Sequence, residues 1–217
     1  TEVIFDSRRG QDYHSANPPL YDSSTFHQTV LGGNAQYDYA RSGNPNRTLL
    51  EEKLARLEGG KYAFAYASGI AAITAVLLTL KSDDHVILPD DIYGGTLRLT
   101  EQILNRFNIK FTTVNATNIL EIKNAIQSNT KLIYVETPSN PLFKITDIRA
   151  VARIAKQNNL LLAVDNTFMT PLGQSPLALG ADIVVHSATK FLGGHSDLIA
   201  GAAITNRKDI ADALYLL

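Results

Sequence analysis

Two short, unbroken apolar runs constrain the fold of this chain more than any other feature. Residues 160–164 read LLLAV and residues 183–185 read IVV, both too short for helices and rich in branched side chains. Runs of this kind read as strands buried on both faces, which parallel sheets require. Each ends at a polar residue: Asp165 follows the first, and His186-Ser187-Ala188-Thr189-Lys190 follows the second. In open α/β sheets ligands gather at the loop ends of such strands. One carboxylate and one amine are therefore expected at the same sheet edge.

The rest of the chain alternates in the same sense. After Pro45-Asn46-Arg47-Thr48, leucines at 49, 50, 54 and 57 recur at helical spacing, and Gly59-Gly60 ends the helix. Strands are expected at 62–66, 86–88, 110–114, 132–135 and 199–204, with helices at 70–80, 96–105, 119–126, 145–157 and 209–217. Such alternation predicts a three-layer α/β/α domain with a mainly parallel sheet over residues 47–217. Residues 1–46 carry little periodicity but contain Tyr13, Tyr21, Phe26, Tyr37 and Tyr39. So many aromatics argue for an extended arm that lies against something, rather than a tail.

Composition removes several function classes. The net charge of −1 gives no support for binding polyanions such as nucleic acid. There are no cysteines, hence no disulfide, thiolate metal site or cysteine nucleophile. Histidines at 14, 27, 85, 186 and 195 form no close ligand pair, and no metal site is expected; His186 reads as a satisfied core histidine. The longest apolar run, 70–80, is too short to span a bilayer, and the first residues carry no apolar signal core, so a cytoplasmic protein with no membrane partner is expected. A nucleotide-binding α/β protein would show G-x-G-x-x-G or a GxxxxGK loop. Neither occurs, and Gly59-Gly60-Lys61 has no glycine at position 55.

The remaining chemistry centres on Lys190. A lysine after a buried strand, flanked by Ser187 and Thr189 and followed by Gly193-Gly194, suits a Schiff-base lysine holding an aldehyde cofactor. Asp165 suits the partner of a protonated pyridine nitrogen. Ser68-Gly69-Ile70 enters a long helix and would present backbone amides, backed by the helix dipole, to a phosphate; Ser187 and Thr189 would add hydroxyls. Glu136 ends its strand and reads as structural.

Six blocks carry a family resemblance: YDYARSGNP at 37–45, LEGG at 57–60, ASGIAAI at 67–73, YGGT at 93–96, ETPSNP at 136–141 and AVDNTF at 163–168, with SATKFLGGHSD after them. In this order the chain resembles the Cys/Met-metabolism, or transsulfuration, family of pyridoxal-phosphate enzymes, of the aspartate-aminotransferase (type I) fold. The resemblance implies pyridoxal 5'-phosphate as cofactor, bound to Lys190. It implies Tyr93 as a catalytic tyrosine stacked on the cofactor ring and Asn140 beside the ring hydroxyl or the substrate carboxylate. It also implies that Tyr39 and Arg41 reach the phosphate of a neighbouring subunit within a homodimer or homotetramer. The activity implied is carbon–sulfur lysis of a sulfur amino acid, with cystathionine cleaved to homocysteine, pyruvate and ammonia, as in the bacterial β-lyases of the family. Cystathionine γ-synthase or γ-lyase chemistry is the alternative, and a catalytically inactive relative or fragment is a third reading. The family's C-terminal domain would lie beyond residue 217, where substrate-specificity residues are expected.

Overall fold

The computed structural model describes residues 17–28, 30, 32–33 and 35–217. Tyr13 and His14 lie outside the described residues. From Pro45 onward the chain alternates helix and strand. Helix α1 spans Pro45–Glu58, strand β1 Tyr62–Tyr66, α2 Gly69–Leu78, β2 His85–Pro89, α3 Gly94–Gln102, β3 Lys110–Val114, α4 Ile119–Asn124 and β4 Thr130–Glu136. Then follow α5 Ile148–Gln157, β5 Leu161–Asp165, α6 Thr170–Gly173, α7 Pro176–Leu179, β6 Ile183–His186, β7 Gly201–Thr205 and α8 Lys208–Tyr215.

The strands form one seven-stranded sheet in the order β1-β7-β6-β5-β4-β2-β3. The pairs β3–β2, β2–β4, β4–β5 and β5–β6 are parallel, while β7 runs antiparallel to both β6 and β1. The period-2 alternation of strands sorts the core into two layers. Val86, Leu88, Leu132, Tyr134, Ala163, Ile183 and Val185 face α2 and α8, packed with Ala72, Val76, Leu77, Ile210 and Leu214. Their neighbours Ile87, Ile133, Val135, Leu162 and Val164 face the opposite layer, with Ile122 of α4 and Val151 and Ile154 of α5. On that second face Val184, Ala202 and Ile204 pack with Leu54 and Ala55 of α1. The three-layer, mainly parallel architecture expected from the sequence is present.

Several boundaries differ for local reasons. The helix expected over 96–105 begins at Gly94 and gives way to a 3-10 turn at Leu104–Phe107, closed by Asn108 at φ 62°. The helix expected from 145 begins at Ile148, because the Asp147 side chain accepts from the Ala150 amide at 3.0 Å and caps it there. The short helices α6 and α7, in the turn-rich segment after Asp165, carry no periodicity long enough to reveal them. Among the described residues no helix is long and apolar enough to cross a membrane.

The described part of the arm is almost wholly exposed. It folds on itself: the Phe26 amide donates to Asp38 O at 2.8 Å, and the Phe26 and Tyr37 rings lie 5.5 Å apart. It is tied to the start of α1, where the Asn46 and Asn44 side chains donate to Tyr21 O at 3.1 and 3.3 Å.

Candidate active site

A cavity of about 270 Å³ opens at the carboxyl edge of the sheet. Ser68, Gly69, Ile70, Tyr93, Glu136, Asn140, Asp165, Ser187, Thr189 and Lys190 stand in its wall, with Thr167 and Phe168 between them. Nine of the eleven residues singled out in the sequence, from five loops, are thus brought to one place. Tyr39 and Arg41 are not among its lining residues. Both are exposed on the arm, with the Arg41 guanidinium 5.1 Å from the centre of the Tyr39 ring. A larger cleft, about 890 Å³, lies at the opposite edge of the sheet, lined by Lys131, Arg149, Arg153, Lys156 and Arg207 among others. It holds none of the convergent chemistry of the smaller one.

The cavity has an anion-favouring end. Ser68 caps α2 by accepting from the Ala71 amide at 3.1 Å, which leaves its own hydroxyl proton free to donate. The first-turn amides of Gly69 and Ile70 have no partner within the helix, and the helix dipole adds partial positive charge. Gly69 is required by close approach: a Cβ there would stand 2.6 Å from Ser187 Cβ. Gly201 is as tightly placed, since its Cβ would meet Ser68 O at 2.1 Å. Both glycines let the end of β6 and the start of β7 press against the α2 turn. Thr189 reaches the wall, but its hydroxyl donates to Ala200 O and accepts from Ala200 N, each at 3.1 Å. Its proton is thus committed to the loop.

Across the cavity stands Asp165, 6% exposed. One of its oxygens accepts from the Tyr134 hydroxyl at 3.1 Å, and the other from the Thr167 amide and hydroxyl at 3.0 and 2.5 Å. The Thr167 oxygen in turn accepts from the Ser187 amide at 2.8 Å. Thr167 therefore joins the ends of β5 and β6, and fixes Asp165 relative to the segment that carries Lys190. The sequence signal was present: an Asp followed two residues on by a Thr favours a local side-chain turn. Asp165 also pushes the phenol of Tyr134 well above its ordinary range, after burial, which is the larger cause.

Lys190 follows β6 in a tight turn, its amide donating to Ser187 O at 3.1 Å. Its ammonium makes no hydrogen bond or ion pair with any described residue, and it is solvent-accessible. An accessible amine between a buried carboxylate and an anion-favouring helix end can form an imine with an aldehyde that also carries a basic ring nitrogen and a phosphate. Both X–Pro bonds of the ETPSNP loop, at Thr137-Pro138 and Asn140-Pro141, are cis.

Two residues differ from the sequence reading. Glu136 is in the cavity wall, directly across the strand pair from Asp165, and its side chain accepts from the Tyr93 amide at 2.9 Å. Burial, and then the charge of Asp165, push its carboxyl up to about 8. The strand-edge rule that singled out Asp165 applies equally to Glu136. His186 is a core histidine, but only half satisfied among the described residues: Nε2 lies 2.5 Å from a Glu58 carboxylate oxygen, while Nδ1 and the other Glu58 oxygen have no partner among them. Among the described residues no three His, Asp or Glu cluster as a metal site would require.

Comparisons with known proteins show which family the chain resembles. Cystathionine beta-lyase MetC of Staphylococcus haemolyticus (strain JCSC1435) is 86% identical over 217 residues, all of this chain and 56% of that protein. Cystathionine gamma-lyase of Bacillus subtilis (strain 168) is 50% identical over 199 residues, 92% of this chain and 52% of that protein. The chain thus spans about half the length of the curated relatives it matches. A solved cystathionine gamma-lyase from Lactobacillus plantarum, complexed with L-serine, superposes with a TM-score of 0.95 at 43% identity, over 99% of this chain and 56% of that one. The family described as Cys/Met metabolism PLP-dependent enzyme matches residues 1–217, and with relatives this similar across the same fold, the chain belongs to it.

Proposed function

We propose that this chain forms the pyridoxal-phosphate-binding part of a cytoplasmic carbon–sulfur lyase of sulfur amino-acid metabolism. In this reading it cleaves cystathionine, with water, to homocysteine, pyruvate and ammonia. The observation that carries the reading is the meeting of Lys190, Asp165 and the amino end of α2 in one cavity. The 86% identity to a protein named cystathionine beta-lyase favours β-cleavage. The 50% identity to a protein named cystathionine gamma-lyase keeps γ-cleavage as the second reading.

Pyridoxal phosphate, when bound, supplies an electron sink for negative charge at the substrate's α-carbon. The fit rests on the chain's own groups. Lys190 Nζ is the amine that would hold the cofactor's aldehyde, and it would be placed to move a proton at the substrate's α-carbon. Asp165, buried and held by Tyr134 and Thr167, is a fixed carboxylate suited to a ring N–H. The Ser68 hydroxyl, the Gly69 and Ile70 amides and Ser187 form the phosphate end, with Thr189 shaping its loop. Tyr93 and Asn140 also line the cavity; Tyr93 would cover the ring face, and Asn140 would meet the ring hydroxyl or the substrate carboxylate.

Among the described residues no arginine lines the cavity, whose ionisable groups include Lys190, Asp165 and Glu136. A phosphate there calls for a cation from outside. Arg41, exposed beside Tyr39 on an arm whose described residues are almost wholly exposed, is suited to supply it to a second copy. A two-fold assembly completes both sites in the same way. In this reading residues 1–46 are the intersubunit arm and 47–217 the cofactor-binding domain.

Two experiments test the proposal. With cystathionine as substrate, pyruvate release supports β-cleavage, and 2-oxobutyrate release in its place overturns it for γ-cleavage. Mixing Arg41→Ala with Lys190→Ala protein under subunit exchange should restore partial activity, because some hybrid sites hold both residues. Demonstrated exchange without recovery would refute the shared site.

A further inference from the structure

Glu136 is a buried carboxyl in the cavity wall that the chemistry above leaves unused. It ends β4 where Asp165 ends β5, and the two are direct partners in the parallel register. Its neighbours from every side are defined. Asp165 faces it from β5, Asp91 from the loop before α3, and Tyr134 from its own strand, while Lys190 and Tyr93 share the cavity. Asp91 is itself bonded to the Ser139 hydroxyl at 2.5 Å. One Glu136 oxygen accepts from the amide of Tyr93, the residue that caps α3 without any side-chain bond of its own. A Cβ on Gly95 would lie 2.3 Å from the Tyr93 ring, so the ring packs down on the first turn of that helix.

We propose that Glu136 is a positioning residue that couples the two ends of the cofactor site: it sets Tyr93 through its backbone, and by carrying a proton it keeps a single negative charge beside the ring-nitrogen position. The inference rests on the function proposed above. Two carboxylates this close and this buried do not both ionise at neutral pH, because each disfavours the other's charge. Asp165 has three donors aimed at it, from Tyr134 and Thr167, an arrangement that suits a carboxylate. Glu136, left with backbone amides, takes the proton; burial and the Asp165 charge together hold it protonated to about 8. Above that pH a second negative charge appears at the same end of the cavity. The Tyr93 amide is then drawn toward a full carboxylate rather than a neutral acid.

The test uses Glu136→Gln and Glu136→Ala beside the parent protein. In cofactor-free protein, infrared difference spectra should show a protonated-carboxyl band that disappears with a midpoint near pH 8 and is missing in both variants. In protein loaded with pyridoxal phosphate, the visible circular dichroism of the cofactor should change with pH in the parent. In Glu136→Gln that inflection should vanish with the signal amplitude kept, since the amide oxygen still accepts from Tyr93. In Glu136→Ala the inflection should vanish and the amplitude fall about two-fold or more, as the tyrosine loses its anchor. The proposal is overturned if folded variants keep the parent's pH profile, or if the parent shows no such carboxyl band. It is also overturned if Glu136→Gln loses as much amplitude as Glu136→Ala. A parent protein with a titrating carboxyl band but no visible cofactor signal would overturn the cofactor reading and this proposal with it. A normal cofactor signal without the Glu136 effects would refute this proposal alone.

Discussion

The proton on Glu136 also predicts how stability depends on pH. The perturbation is Glu136→Gln, compared with the parent in cofactor-free protein. The folded carboxyl is raised from 4.5 to about 8, chiefly by burial. Between those values the folded state holds a proton that the unfolded state has released, so stability falls as pH rises through the interval. Each pH unit is worth about 1.4 kcal/mol, so the loss accumulates to the order of 4–5 kcal/mol near pH 8 and stops there. His85 acts in the opposite sense, since burial lowers its pKa and favours the folded state as pH rises. Glu51, raised by burial, acts in the same sense as Glu136. Both are unchanged by the substitution and cancel in the difference. Urea unfolding of the two proteins from about pH 5 to about pH 9 supplies the comparison. The parent's stability minus the variant's should decline by roughly 1 kcal/mol or more per pH unit up to about pH 8, then level. Parallel curves across the whole range would refute a buried proton on Glu136.

Other outcomes follow from the same geometry. Borohydride reduction of cofactor-loaded protein and peptide mapping should place the label on Lys190, and a label on another lysine would remove it from its proposed role. Asp165→Asn should keep the fold but slow turnover by the equivalent of a few kcal/mol, the usual worth of one aligned electrostatic contact, as read from kcat. Thr167→Val removes the hydroxyl's bonds to both Asp165 and Ser187 while the amide bond to Asp165 stays; it should cost about 1–3 kcal/mol in an unfolding measurement and weaken cofactor retention. Gly69→Ala places a methyl against Ser187, so equilibrium dialysis should show pyridoxal phosphate binding at least about tenfold weaker, the equivalent of about 1.4 kcal/mol.

The sequence by itself determined the layers and most of the site. Apolar runs of three to six residues and helical leucine spacing report burial directly, because burial of side chains on both faces of a strand leaves no room for alternation. The placement of Lys190 and Asp165 at one edge followed from strand direction alone, and the cofactor's identity from motif resemblance. What needed the tertiary structure was pairing across loops. Nothing local in 130–136 says that Glu136 stands opposite Asp165, because register is a property of two strands. The contact between the Thr189 hydroxyl and the returning chain at Ala200 is likewise invisible in the local sequence. His186 looked satisfied, but among the described residues the fold gives it one partner, Glu58, from a helix far away in sequence, and none for Nδ1. A side chain's hydrogen-bond partners and its charge state are set by what long-range packing brings within about 3 Å and by how much water it removes. Those are the two quantities that a linear pattern of residues does not contain.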